Sequence, residues 1–173
     1  MASGRLDKEQ EIKDEMKTIL ALYEKGYAAF ETTETRLKKE RSSIPDKFVE
    51  SDLKTDAYEN HLMKAAQLKH DAKDLWKDSI ALYESIDADV KYFAAQLKLW
   101  LANIFLQEHG FGEGTDKLRE AYVDSDSNLR ALRKLRGKLM SYRETGQHLT
   151  RAFENDETNC RHLLKNKYGS GGF

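Results

Sequence analysis

A seven-residue repeat of apolar side chains runs through the segment from Ser51 to about His109 and limits the structures that this segment can adopt. One line of the repeat is Leu62, Lys69, Trp76, Tyr83, Val90, Leu97 and Ile104, and the other is Tyr58, Ala65, Ala72, Ser79, Ile86, Phe93 and Trp100. Because seven residues fall just short of two helical turns, this repeat is typical of helices that supercoil along a shared seam. Leu68, Leu75 and Leu82 widen the apolar stripe, so we expect this helix to contact more than one neighbour.

Capping and helix-breaking residues set the expected ends of the first two helices. The first helix is expected from Leu6 to about Arg41, because Pro45 cannot continue the helical hydrogen bonds. The second helix is expected to begin near Ser51 or Asp52, either of which can cap it. A break within residues 85–89 is the alternative to one continuous second helix.

A glycine-rich segment, residues 110–115, separates the second helix from the rest. It lacks the Lys-Ser/Thr pair of a phosphate-binding loop and no strand precedes it, so it is interpreted as a turn. A short helix is expected from Asp116 to Val123, and residues 124–127 can cap the long helix that follows. The sequence therefore predicts an all-α fold, an elongated helical bundle or coiled coil of three long helices and a short one.

We expect one domain over residues 1–173. Its parts are a helix and linker in 1–50, a central helix in 51–109, the turn and last two helices in 110–168, and a flexible tail in 169–173.

The last long helix is strongly basic. Residues 128–168 contain ten Lys or Arg against four Asp or Glu, in a chain whose formal net charge is −1. The helix also continues the heptad seam, although Gly146 and Asp156 stand at two seam positions where a bend or a wet contact is expected. The predicted packing or oligomer seam consists of Leu132, Leu135, Leu139, Tyr142, Leu149 and Phe153, together with Trp76, Tyr83 and Trp100 of the central helix.

Six of the basic residues precede the first acidic residue of the last helix, Glu144. They are Arg130, Arg133, Lys134, Arg136, Lys138 and Arg143. A surface of this kind suits nucleic-acid phosphates, because each phosphate neutralised adds affinity and guanidinium groups donate paired hydrogen bonds. The alternative is a solvated helix face whose charge is balanced by the acidic central helix.

Motifs for catalysis and for metal binding are missing from the sequence. No histidine has Glu three residues before it, and there is no H-E-x-x-H motif, no cysteine pair and no EF-hand loop. We therefore expect a protein that is not an enzyme and needs no cofactor.

Cys160 lies on the seam and is interpreted as a reduced packing residue. Tyr92, Phe105 and Phe111 lie off the main seam lines and are candidates for contact with a partner.

No segment is apolar enough for a membrane span or for the core of a signal peptide, so the sequence predicts a cytoplasmic or nucleoplasmic protein.

The segment from Thr115 to about Lys167 resembles the C-terminal part of the UvsY-like recombination mediators of tailed phages. The likeness consists of a short apolar and acidic entry at residues 120–126, a long amphipathic helix, the pair Ala152-Phe153, and a basic and aliphatic ending at residues 161–163. This resemblance implies a homo-oligomeric helical protein that binds single-stranded DNA. It also implies help in loading a RecA-type recombinase against a single-strand-binding protein, in the host cytoplasm if the chain is encoded by a phage.

Two other functions are compatible with the sequence. One is a structural or adaptor coiled coil, such as a virion, scaffold or BAR-like assembly protein, in which the basic and acidic helices neutralise each other. The other is a protein that mimics nucleic acid through an acidic face, which the interspersed lysines make the weakest of the three.

Overall fold

The computed structural model describes residues 3–43, 55–108 and 115–169, and this part of the chain folds into four α-helices without strands. The helices are α1 (Ser3–Arg41), α2 (Thr55–Glu108), α3 (Thr115–Ser125) and α4 (Ser127–Gly169). The all-α prediction is confirmed. Helix α2 is continuous through residues 85–89, so the break considered from the sequence does not occur. The expected caps Ser51 and Asp52, Pro45 and the glycine-rich turn at 110–114 lie outside the described residues, as does most of the predicted tail.

Two helix ends follow directly from the local sequence. Asp126 caps α4, because its Oδ1 atom accepts hydrogen bonds from the backbone nitrogens of Asn128 at 3.0 Å and Leu129 at 2.9 Å. The last turn of α1 contains Lys38, Lys39 and Arg41, whose positive charge favours the carbonyl end of a helix. Among residues 124–127, which are expected to cap the basic helix, Asp126 is the residue whose side chain accepts these hydrogen bonds.

The described residues divide into two compact units, each of which has its own core. Unit 1 combines α1 up to Ala28, α2 from Ala81 onwards, α3, and α4 up to Met140. Its buried apolar side chains are Ile12, Met16, Tyr23, Ile86, Val90, Phe93, Leu97, Leu101, Val123, Leu129, Leu132, Leu135 and Leu139. Burial of this set is the main favourable term for the packing of these helices.

Unit 2 combines α1 from Ala29, α2 up to Ile80, and α4 from Ser141. Its core cluster is Leu37, Ala65, Leu68, Ala72, Leu75, Leu149 and Phe153, with Phe30 packed against it. The seam of α2 here runs along Leu68 and Leu75, whereas Lys69 and Trp76 of the predicted line are only partly buried. Leu68 and Leu75, which the sequence predicts to widen the apolar stripe, are therefore seam residues in this unit.

Each unit contains a polar side chain that is paired with a group on another helix. In unit 1 the Tyr23 hydroxyl donates to the Asp89 carboxylate and lies 2.8 Å from Ser85 Oγ, and its burial raises the pKa of Tyr23 to about 12. In unit 2 the Asp156 carboxylate, expected to be costly on the seam, pairs with Arg41 through Nε at 3.0 Å. A guanidinium partner offsets the desolvation of that carboxylate.

Within the described ranges, no helix has an apolar stretch long enough to cross a membrane.

Candidate nucleic-acid interface

The first half of α4, which belongs to unit 1, is held by a buried apolar stripe. Leu129, Leu132, Leu135 and Leu139 are buried at positions that recur every three or four residues. This spacing fixes the rotation of the helix about its axis and leaves Arg130, Lys134 and Lys138 exposed. These three residues, spaced four apart along one side of the helix, are called the basic row below.

The basic row keeps most of its charge available to solvent. Arg130 Nη2 donates to the backbone carbonyl of Asp124 at 3.2 Å, and Lys138 Nζ lies 4.9 Å from the centre of the Tyr27 ring. Lys134 forms no ion pair with any described residue. Neither a carbonyl oxygen nor an aromatic ring neutralises a cation, so the row keeps three positive charges, on residues whose Cα atoms lie about 6 Å apart along the helix axis.

Arg133 and Arg136 differ from the basic row because each is paired with a carboxylate. Arg133 Nη1 lies 2.6 Å from Asp124 Oδ1, and Arg136 Nη1 lies 2.9 Å from Asp87 Oδ1 on α2. The Asp87 carboxylate also pairs with Lys91, and hydrogen bonds from Lys91 and Arg136 lower the pKa of Asp87. Two cations therefore share one carboxylate, and this part of unit 1 retains an excess of positive charge.

Arg143, the sixth predicted residue, belongs to unit 2. Its side chain is exposed and has no acidic partner among the described residues. The structure therefore places five of the six predicted residues in unit 1. Of these five, three form the basic row and two are paired with acids.

The predicted seam residues lie in the interior of the single chain to different degrees. Leu132, Leu135, Leu139, Leu149 and Phe153 are buried by helices of the same chain. The larger residues Tyr142, Trp76, Tyr83 and Trp100 are partly buried. The five buried side chains are consequently unavailable to a second molecule while the chain keeps this fold.

Aromatic residues near the basic row were not selected from the sequence. Tyr27 of α1 lies beneath Lys138, and its position could be inferred only once α1 and α4 were known to pack side by side. Tyr92, selected because it lies off the seam, is exposed. The side chains of Phe105 and Phe111 lie outside the described residues.

The described residues contain no cluster of three or more His, Cys, Asp or Glu side chains suited to a metal ion.

Cys160 is buried, and burial raises the pKa of its thiol, as does the nearby Asp156 carboxylate. Both effects disfavour the thiolate, so Cys160 has the character of a packing residue.

Comparison of the chain with protein-family models, with curated proteins and with solved structures gave no match.

Proposed function

We propose that this chain is a non-enzymatic protein that binds single-stranded DNA through the first half of α4. The basic row, Arg130, Lys134 and Lys138, is the observation that carries the proposal. These side chains are exposed, and α4 has no acidic residue before Glu144. Cations at regular intervals along a rigid helix can follow a phosphate backbone without reading its sequence.

Paired arginines beside the row support the same proposal. Arg133 and Arg136 are held in place by carboxylates, and the Asp87 carboxylate is shared with Lys91. A phosphate can displace or join such a pair, because the guanidinium group has five donors and a carboxylate uses at most two of them. Both arginines can therefore add contacts once the basic row has bound the strand.

The choice of single-stranded DNA and of a cellular role derives from the resemblance of residues 115–167 to UvsY-like recombination mediators. On this basis we propose a cytoplasmic mediator that associates with itself and helps to load a RecA-type recombinase against a single-strand-binding protein. An elongated coiled coil built from the long helices is part of the same proposal. Self-association would multiply weak contacts by raising their effective concentration along one strand.

A titration of fluorescent oligo-dT with the full chain at two salt concentrations tests the proposal. We expect binding at low salt that weakens steeply as salt rises, because counterions are released when phosphates are neutralised. A duplex of the same length serves as the comparison that distinguishes a preference for single strands from general binding of phosphates. Absence of oligo-dT binding at low salt would remove the proposed function.

A structural or adaptor protein is the second candidate. Unit 2 favours it, since four ion pairs join its helices: Arg36 with Asp71, Lys69 with Glu157, Lys73 with Glu154, and Arg41 with Asp156. In such a protein the charged side chains hold helices together, and few of them remain free to bind the phosphates of a nucleic acid.

Charge reversal at Arg133, Lys134 and Arg136 distinguishes the two candidates. A DNA-binding protein is expected to lose oligo-dT binding when these three residues are changed to Glu. An adaptor is expected to lose assembly and to show no change in nucleic-acid binding. Solution mass and oligo-dT affinity measured on the same preparation therefore separate the two functions.

A further inference from the structure

Tyr27 of α1 lies beside one end of the basic row. Lys138 Nζ lies 4.9 Å from the centre of the Tyr27 ring, and Tyr27 is only partly buried. Further back along both helices, Asn128 Nδ2 of α4 donates to the backbone carbonyl of Lys13 on α1 at 3.3 Å. The two contacts follow the same order along each helix, so α1 and α4 run side by side in the same direction in unit 1. An aromatic side chain of α1 therefore borders the surface that the cations of α4 form.

The packing of α1 against α2 sets the direction of the Tyr27 side chain. Gly26 faces α2, since a methyl group added to it would lie 3.1 Å from Leu82 Cδ2. The next residue of a helix points about 100° further around the axis, and this turn directs Tyr27 towards α4. The ring is therefore in position before a strand binds, and its use as a contact costs little additional ordering.

The charges around the ring differ between the two helices. On α4, Arg130, Lys134 and Lys138 are exposed and have no acidic partner among the described residues. On α1, Glu24 is exposed and lies about one turn before Tyr27 on the same side of the helix. Phosphates are attracted by the row and repelled by Glu24, so the backbone of a bound strand is expected over α4. Its bases are then on the α1 side, where the ring lies.

Lys138 can exchange the ring for a phosphate when a strand binds. Its side chain is exposed and flexible. A base stacked on an aromatic ring gains more than a cation–π contact at an exposed site does. When the ammonium group turns to a phosphate and a base takes its place on the ring, both groups therefore gain a stronger partner.

We propose that Tyr27 stacks on an unpaired base and gives this surface a preference for single strands over duplex. Bases in a duplex are already stacked on each other, so a duplex offers the surface only its phosphates. This role of Tyr27 rests on the proposed function, because stacking requires a strand held by the basic row. The two can still fail separately, since phosphate contacts do not require the ring.

A strand without bases tests the proposal. Oligo-dT is compared with an abasic strand of the same length, which has the same phosphates. We expect the full wild-type chain to bind oligo-dT about tenfold more tightly, because stacking adds to the phosphate contacts. Equal affinity for the two strands would overturn the role of Tyr27 and leave DNA binding through phosphates intact. Absence of binding to either strand would remove both.

Substitution of the ring separates stacking from a structural role. Tyr27→Leu is expected to lower the affinity for oligo-dT to that for the abasic strand, and to leave the abasic affinity and its salt dependence unchanged. Tyr27→Phe keeps the ring and should keep the preference for oligo-dT. Tyr92→Leu, at an exposed tyrosine of α2 in the same unit, is the matched control and should also keep it.

Three results of these substitutions would overturn the proposal. They are a preference for oligo-dT that survives Tyr27→Leu, an equal loss of preference in Tyr92→Leu, and an equal loss of affinity for both strands in Tyr27→Leu.

Photo-crosslinking of the wild-type chain gives a test that does not depend on the folding of a variant. Iodouracil in place of thymine forms a crosslink on irradiation with an aromatic ring against which it is stacked. We expect mass spectrometry of the digested complex to locate a crosslink at Tyr27. A complex in which Tyr27 is not crosslinked would overturn its contact with a base.

Discussion

A methyl group added to Gly146 of α4 would lie 3.0 Å from the Cα atom of Trp76 on α2. Gly146 therefore lies where the backbones of α4 and α2 approach each other closely in unit 2. The nearest atom belongs to the backbone of α2, which cannot rotate away as a side-chain end could. A side chain at position 146 must push the helices apart.

We predict that Gly146→Ala destabilises the chain by about 1–3 kcal/mol, because overpacking outweighs the gain in helix propensity. Gly137→Ala is the matched control on the same helix, since nothing lies within 4 Å of the added methyl group. That variant is expected to gain up to about 1 kcal/mol. Urea denaturation of both variants measures the difference, and a stabilised Gly146→Ala would contradict the close approach.

The N-terminal cap of α4 gives a second prediction. Asp126→Ala removes the acceptor for the backbone nitrogens of Asn128 and Leu129, and is expected to cost about 1 kcal/mol of unfolding free energy. Asp126→Asn keeps an acceptor oxygen and should retain most of the stability. Ser127→Ala, at the exposed first residue of α4, is the control. Equal loss in all three variants would argue against capping by Asp126.

A buried carboxylate in unit 2 predicts how stability depends on pH. Glu157 is buried, and hydrogen bonds from Lys69 and from Arg161 lower its pKa below the ordinary 4.5. Because the pKa is lower in the folded state, the stabilisation is fully present above about pH 4.5 and is lost as the pH falls through the folded value. A fall in pH below about 4.5 therefore weakens this contact, whereas a change of pH within the neutral range does not.

Glu157→Gln is expected to lose about 1–3 kcal/mol near neutral pH, because Lys69 loses its charged partner. The difference from the wild type should shrink well below pH 4.5, where Glu157 is protonated in the wild type as well. Glu144→Gln changes an exposed glutamate on the same helix and should have little effect at either pH. Denaturation curves at both pH values check this, and a difference that does not change with pH would exclude the ionised pair as its source.

The fold class followed from the sequence because heptad spacing, a single proline and capping residues agree on long helices. The sequence did not predict which side of α2 faces the core of unit 2. Leu62, Lys69 and Trp76 on one side of the Ala65 line are as long as Leu68 and Leu75 on the other. Periodicity cannot choose between two such lines, since the choice depends on where α1 and α4 pack.

The sequence also did not predict which acidic and basic side chains pair with each other. Asp156 stands at a seam position where the sequence predicts a bend or a wet contact, and its guanidinium partner Arg41 is 115 residues away in the chain. Gly146 stands at the other such position, and the atom nearest to an added methyl group there belongs to the backbone of another helix. The six basic residues were identified by composition, whereas the division into a basic row and two acid-paired arginines required the positions of Asp124 and Asp87.

The most direct test of DNA binding by the basic row is the salt dependence of oligo-dT affinity. The variant Arg130→Ala/Lys134→Ala/Lys138→Ala should bind more weakly than the wild type. The slope of log affinity against log salt should fall by about 2, since each phosphate contact on a single strand contributes about 0.7.

The matched control, Lys17→Ala/Lys25→Ala/Lys39→Ala, removes the same charge from exposed positions of α1 and should keep both the affinity and the slope. Equal affinities and equal slopes for the two triple variants would contradict binding through the basic row.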